Sequence, residues 1–149
     1  METRPISNRA PETRQVEPQA GVFRTTVACV AGALIPGFGH ALLRKWDRAI
    51  VFFGSIAIMV YFGIRLQGTL YNPAFPDFSD FFTTGFASLK FVADAGSGLL
   101  YWIPWMRGLG TGDPTAYTYD YANVFIYVAG LLNMLVIVDA FDIAMGRKR

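Results

Sequence analysis

The residue best suited to chemistry is His40, the only histidine of the chain. A lone imidazole can ligate the metal of a haem or chlorophyll, or titrate near neutral pH. A bis-histidine haem would need a second copy of the chain, and zinc would need a second nitrogen or thiolate at ligand spacing, which the sequence lacks. We therefore expect His40 to form hydrogen bonds with its surroundings and expect no cofactor, with axial ligation by His40 as the alternative.

Two carboxylates, Asp139 and Asp142, lie three residues apart and hence on neighbouring positions of one helix face. The apolar segment before them contains Asn133 but no further carboxylate, so a proton or cation pathway has little support. The basic loop after His40 contains Arg44, Lys45 and Arg48. Since a carboxylate beside an apolar segment is costly unless it is paired, we expect an ion pair that docks this loop.

The remaining motifs do not predict catalysis. The run Gly108-Leu109-Gly110-Thr111-Gly112 lacks the lysine and hydroxyl that end a phosphate-binding loop. No serine or threonine lies in a nucleophile elbow or beside a histidine base. Cys29 is the only cysteine and lies in an apolar run, so we expect it to serve in packing. The protein is predicted not to be an enzyme.

The elements that hold these residues are apolar. Of the 149 residues, 53% are hydrophobic and 16% charged, whereas charged residues make up about a quarter of an average soluble domain. Residues 49–64 and 122–138 contain no Asp, Glu, Lys or Arg, so both segments are predicted to be membrane helices. The net charge of +2 is small, and the cations lie beside apolar segments, which argues against nucleic acid as a partner.

An interruption divides the first apolar stretch, residues 22–43. Pro36 removes a backbone donor, and Gly37 and Gly39 permit tight turns, so a straight helix is not expected here. Either the stretch is a kinked span, or a short helix dips into the membrane, turns at this point and returns to the same side.

Charge distinguishes these two topologies. The re-entrant topology places ten Lys and Arg inside and three outside. If the first stretch and residues 81–106 both cross instead, the split is eight against five. Both topologies put the two termini in the cytoplasm, and the re-entrant one obeys the positive-inside rule better.

Residues 66–120 form an insert between the two predicted spans. Its ends are rich in proline and glycine and should be irregular. Its middle, residues 81–106, is apolar enough for one or two helices at the interface or against the other helices, with a full span as the alternative. Within it, Lys90 and Asp94 lie four apart, in position to pair. Trp102 and Trp105 suit the headgroup level.

Around the interruption the chain reads Ala33-Leu34-Ile35-Pro36-Gly37-Phe38-Gly39-His40-Ala41-Leu42-Leu43-Arg44-Lys45-Trp46. This run resembles the P-G-x-G-[HQ] turn, short helix and basic loop of small bacterial membrane proteins of the two-transmembrane (TM-two) domain type and related uncharacterised families. The run Val138-Asp139-Ala140-Phe141-Asp142 looks like the acidic D-A-[YF] element near which their second helix ends. The insert departs from that pattern. The resemblance implies a membrane module of undefined activity.

Together these patterns predict an all-α, polytopic helical membrane protein with two to four membrane-embedded helices and a re-entrant or kinked hairpin at Pro36. Residues 1–20 are expected to be a disordered cytosolic tail, and residues 21–149 a single domain in a bacterial inner (plasma) membrane. Residues expected to carry structure and interaction are Pro36, Gly37, Gly39, Arg44, Arg48, Asp139 and Asp142.

The predicted role is that of an accessory, scaffold or assembly component, which acts through a membrane-protein partner or as a homo-oligomer. Aromatic residues in the insert would offer a surface for such contacts. Two alternatives are a haem- or chlorophyll-carrying subunit that uses His40, and a small channel or transporter.

Overall fold

The computed structural model describes residues 18–72 and 81–147. Within them the chain forms six helices: α1 Pro18–Leu34, α2 Phe38–Leu42, α3 Trp46–Arg65, α4 Phe81–Ala95, α5 Leu99–Met106 and α6 Tyr119–Ala144. These residues contain no β-strand, only an isolated bridge between Thr69 and Thr111. The predicted all-helical class is therefore confirmed. Most of the predicted tail (1–17), most of the proline-rich stretch (73–80) and the last two residues lie outside the described residues.

Helices α3 and α6 are long and apolar enough to cross a membrane. They have 20 and 26 residues, with mean hydropathies of 1.6 and 2.2. At 1.5 Å per residue they are about 30 and 39 Å long, which matches or exceeds a hydrocarbon core of about 30 Å. Only 22% and 33% of these windows are buried inside the protein, so most of the apolar surface faces outward.

The same two helices pack against each other in opposite directions. Gly63, near the end of α3, lies against Ile126 near the start of α6. At the other end, Arg48 of α3 lies beside Asp139 of α6. Between these contacts lies a core of Ile56, Val60, Ala129 and Val136.

Helices α1 and α2 form a first hairpin around Pro36. Gly37 has a φ of 76°, and a Cβ there would lie 2.6 Å from the carbonyl oxygen of Ala49 at the start of α3. Helix α2 folds back so closely that a Cβ at Gly39 would lie 2.6 Å from the carbonyl oxygen of Ala28 in α1. The left-handed backbone at Gly37 and the close approach at Gly39 both require glycine.

Helices α4 and α5 form a second hairpin. Helix α4 ends beside the middle of α6, where Ala93 lies against Gly130 and Gly96 lies against Met134, so the two helices run in the same direction. Helix α5 then runs back, and the loop that follows it is joined to residues 69–70 by a backbone hydrogen bond and the isolated bridge. The insert thus contains two helices that pack against the rest of the protein.

The two hairpins meet beside the middle of α6. Gly98 has a φ of 64°, and any Cβ there would overlap with the last carbonyls of α1, including that of Ala33. Asn133 of α6 donates from Nδ2 to the carbonyl oxygens of Gly32, at 3.2 Å, and Gly96, at 2.8 Å. An amide nitrogen carries two hydrogens, so one side chain can hold both hairpin tips.

Candidate functional site

The polar residues that the sequence singles out converge near the C-terminal end of α6. His40 of α2 places Nε2 3.0 Å from Oδ2 of Asp139. Arg48, in the first turn of α3, places Nη1 3.5 Å from the same oxygen. One carboxylate thus joins α2, α3 and α6, although its partners are 99 and 91 positions away in the sequence.

His40 is completely buried in this cluster. Its ring centroid lies 5.1 Å from that of Phe52, with the planes tilted by 60°. A neutral imidazole protonated at Nε2 can donate to Asp139, which leaves Nδ1 as an acceptor. That Nδ1 is buried and has no hydrogen-bond partner among the described residues. The ring therefore has a polar contact with Asp139 and an aromatic contact with Phe52.

The turn before His40 determines where its side chain points. Pro36 is fully buried, and Gly39 packs α2 between two helices: a Cβ there would also lie 3.2 Å from Cβ of Ala140 in α6. Because α2 lies this close to α6, the next residue, His40, reaches the carboxylate of Asp139 directly. The predicted turn residues thus act through packing in this structure.

The other predicted ionic residues have different contacts. Asp142 places Oδ1 3.6 Å from Nη1 of Arg147, whose guanidinium lies 5.9 Å from the ring centroid of Phe141. Arg44 has a φ of 62° in the turn between α2 and α3, a conformation uncommon for a residue with a side chain. Within the basic loop, Arg48 makes the contact with Asp139.

The polar contacts of Asp139 suit the anchoring of α2 and the start of α3 to α6. The side chains of Arg48 and Asp139 are 44% and 24% exposed, so the ion pair lies at the boundary between the apolar bundle and the solvent-facing end. His40 lies on the buried side of the same carboxylate. Asp139 therefore contacts a cation on one side and a completely buried imidazole on the other, and such contacts offset the cost of partly burying a carboxylate.

A second polar cluster lies in the insert and was only partly predicted. Asp94 is completely buried and accepts a hydrogen bond from the backbone nitrogen of Tyr71 at 2.9 Å. Lys90 places Nζ 3.2 Å from the hydroxyl of Tyr71 and 4.8 Å from its ring centroid. Tyr101 donates its hydroxyl to the carbonyl of Tyr71 at 2.6 Å. The spacing of Lys90 and Asp94 indicated a shared helix face. No pattern in the neighbouring sequence identifies Tyr71 as the residue that both side chains contact.

Two further features considered in the sequence are a metal site and the glycine-rich run of residues 108–112. Among the described residues, no group of three or more His, Cys, Asp or Glu could hold a metal ion. The glycine-rich run lies against the stretch after α3: Leu70 donates its backbone N–H to the carbonyl of Gly110 at 2.8 Å, and a Cβ at Gly112 would overlap with Thr69. These glycines permit a close approach between two backbones.

Comparison with known proteins identifies a family. Residues 27–149 match a family described as a family of unknown function (DUF6677), and this chain belongs to that family. No curated protein and no solved structure matches the chain. The expected membership of an uncharacterised family is thereby confirmed.

Proposed function

We propose that this member of the DUF6677 family is a polytopic membrane protein in which α3 and α6 cross the bilayer. Each hairpin would enter the bilayer from one side and leave it on the same side, with the α1–α2 hairpin as the re-entrant segment around Pro36. The support is geometric: both hairpin tips lie beside Asn133, in the middle of α6. Helix α1 ends there, and α2 leads back to the level of Asp139 before α3 begins.

The distribution of cations supports an orientation with both termini in the cytoplasm of a bacterium. Of the described Lys and Arg residues, five lie at the end of the bundle that holds the C-terminus of α6: Arg24, Arg44, Lys45, Arg48 and Arg147. The other three lie in the opposite half: Arg65, Lys90 and Arg107. This asymmetry agrees with the positive-inside rule for an inner (plasma) membrane.

Cysteine accessibility tests this topology. In a Cys29→Ala background, single cysteines at Lys45 and at Thr115 are treated in intact cells with a membrane-impermeant maleimide. We expect labelling of Thr115→Cys, and labelling of Lys45→Cys only after the cells are opened. If α1 were instead a kinked full span, Lys45→Cys would be labelled from outside.

Within the membrane, we propose that the protein acts as an accessory, scaffold or assembly component through contact with another membrane protein. The observation that carries this role is Tyr117, which is 90% exposed in the loop before α6. Met106 and Leu109 are exposed in the same outer segment. Aromatic side chains are enriched where proteins bind one another, because they bury a large area at small entropic cost.

A photo-crosslinking amino acid at Tyr117 tests this role in the native membrane. We expect one protein partner to be captured in a defined band that mass spectrometry can identify. The same group at Tyr61, which is exposed on α3 where we place lipid, is the control. Absence of a protein crosslink at Tyr117, or an equal pattern at both positions, would contradict the proposed role.

The meeting of two hairpins favours a transporter as the second candidate. Discontinuous helices that meet near the bilayer midplane are a recurring feature of transporter binding sites. Here the carbonyl Oδ1 of Asn133 lies buried at that meeting point without a hydrogen-bond partner in the described structure. Flux of ions or solutes into proteoliposomes that falls in Asp139→Asn would support this candidate, and an impermeable proteoliposome would eliminate it.

The cofactor alternative gains no geometric support. The Nε2 atom of His40 contacts Asp139, and its ring lies against Phe52 without exposed surface. A haem or chlorophyll would require α2 to move away from α6. A visible absorption band that disappears in His40→Ala would overturn this conclusion.

A further inference from the structure

A cleft of about 560 Å³ lies between α3 and α5. Its walls are mainly apolar and include Val60, Ile64, Leu100, Ile103, Pro104 and Leu109. Both helices run towards the same end of the molecule, so the cleft follows their axes. Along α3 its lining extends from Ala57 to Arg65, eight residues or about 12 Å along the helix.

The end of the cleft near the last residue of α3 carries its charged side chain. Arg65, the last residue of α3, and Gln67 just after it both line the cleft, and both are exposed. In residues 18–72 and 81–147, no carboxylate lies within ion-pair distance of Arg65. An apolar groove that opens at a cation beside the predicted membrane surface matches a ligand with an apolar tail and an anionic head.

We propose that this cleft binds one phospholipid, whose acyl chain lies against α3 and α5 and whose anionic phosphate contacts Arg65 and Gln67. The inference rests on the membrane embedding proposed above. Tyr61 and Ile103 at the rim are exposed towards the region where we place lipid, so a chain can enter sideways. Guanidinium groups bind phosphate through paired hydrogen bonds, and a neighbouring amide can add a donor.

A second copy of the chain fits the cleft less well. In a two-fold dimer both protomers contribute the same patch, so an interface centred on this cleft would contain two Arg65 side chains and no carboxylate among its lining residues. Like charges at such an interface oppose association. The lipid supplies the anion that the dimer would lack.

Native mass spectrometry of the delipidated full-length protein tests the site. Dioleoyl phosphatidylglycerol and dioleoyl phosphatidylcholine are added separately, so that the acyl chains are identical and only the headgroup charge differs. We expect phosphatidylglycerol to be retained about fivefold more strongly, the ratio that corresponds to roughly 1 kcal/mol for one cation near a membrane surface.

Three variants assign the effect to the cleft. Arg65→Gln should lower phosphatidylglycerol retention to the phosphatidylcholine value, whereas Arg107→Gln, exposed at the end of α5 but outside the cleft, should leave it unchanged. Ala57→Phe, which adds a large side chain to the cleft at the end opposite Arg65, should reduce retention of both lipids. Equal retention of the two lipids, or equal effects of the two arginine variants, would overturn the proposal.

Cell fractionation alongside the mass spectrometry separates this inference from the proposed membrane embedding. If the protein is recovered without detergent from the soluble fraction, the embedding itself fails. If it fractionates with membranes but retains both lipids equally, only the lipid site fails. A wild-type dimer that becomes monomeric in Ala57→Phe would assign the cleft to a second copy and overturn the lipid proposal.

Discussion

At the scale of single residues, two polar side chains of α6 connect parts of the chain that are far apart. Asn133 holds both hairpin tips, and Asp139 holds α2 and α3. Asn133 is completely buried, and Asp139 is the hydrogen-bond partner of the completely buried His40. Loss of either side chain therefore leaves a buried polar group unpaired, which is expensive.

Asn133→Leu should destabilise the protein. It removes two hydrogen bonds and leaves the carbonyls of Gly32 and Gly96 unpaired, so we expect a loss of about 1 to 2 kcal/mol for two interhelical bonds in a membrane protein. The measurement is the free energy of unfolding in mixed micelles. Leu135→Ala, at an exposed position of the same helix, is the control and should have a clearly smaller effect.

Asp139→Ala should destabilise the protein more than Asp142→Ala. Loss of Asp139 leaves Nε2 of buried His40 without its partner, a cost of about 1 to 3 kcal/mol. Asp142 contacts the more exposed Arg147, and such pairs contribute about 0 to 1 kcal/mol. Thermal unfolding in detergent compares the two variants directly, and equal midpoints would refute the prediction.

At the scale of the elements, glycine permits the turns at the two hairpin tips and the close approach of the helices there. Glycine adopts backbone conformations that side chains resist, and without a side chain it lets two backbones lie close together. Gly37 and Gly98 satisfy both conditions at the two hairpin tips. The tips are therefore the positions at which one added methyl group should change the architecture.

Gly98→Ala should destabilise the meeting point of the hairpins. The residue would have to keep a φ of 64° and would overlap with the carbonyls of α1, so we expect a loss of about 1 to 3 kcal/mol. Gly85→Ala provides the matched control, because no atom of the described residues outside its own helix backbone lies within 4 Å of a Cβ there. Since Gly85 lies inside α4, alanine should be neutral or should stabilise the helix. The unfolding free energies of the two variants in detergent give the comparison.

At the scale of the whole molecule, charge asymmetry along the bundle determines the orientation that we propose. Positively charged loops are retained in the cytoplasm during insertion, and the described structure places most of its cations at one end. The ion pairs of Arg48 and Arg147 with α6 lie at that same end. The orientation that we propose and the observed packing thus involve the same residues.

Reporter fusions should give opposite signals at the two ends of the bundle. A fluorescent protein that folds only in the cytoplasm should fluoresce when attached to either terminus. Alkaline phosphatase, which is active only outside, should be active when inserted at Thr115 and inactive when inserted at Lys45. Phosphatase activity at Lys45 would show that the first hairpin crosses the membrane.

Much of the secondary structure could be predicted from the sequence, because it depends on local composition. The uncharged windows 49–64 and 122–138 correspond to α3, Trp46–Arg65, and α6, Tyr119–Ala144. The break at Pro36 and Gly37 was also predicted, since proline and glycine act on their own backbone. By contrast, residues 81–106 were expected to form one or two helices, and the position of the break at Gly98 was not predicted, because an isolated glycine in an apolar segment is compatible with either a helix or a turn.

The sequence by itself determined the all-helical class, the two apolar helices and the irregular turn at Pro36, because hydropathy, charge and backbone restrictions are properties of neighbouring residues. Only the tertiary structure decided that Arg48, rather than Arg44 or Lys45, contacts Asp139, and that His40 shares this carboxylate. It also decided that Asn133 joins two hairpins and that α3 and α5 enclose a cleft. These contacts depend on the relative position of helices up to 101 residues apart, which no local pattern contains.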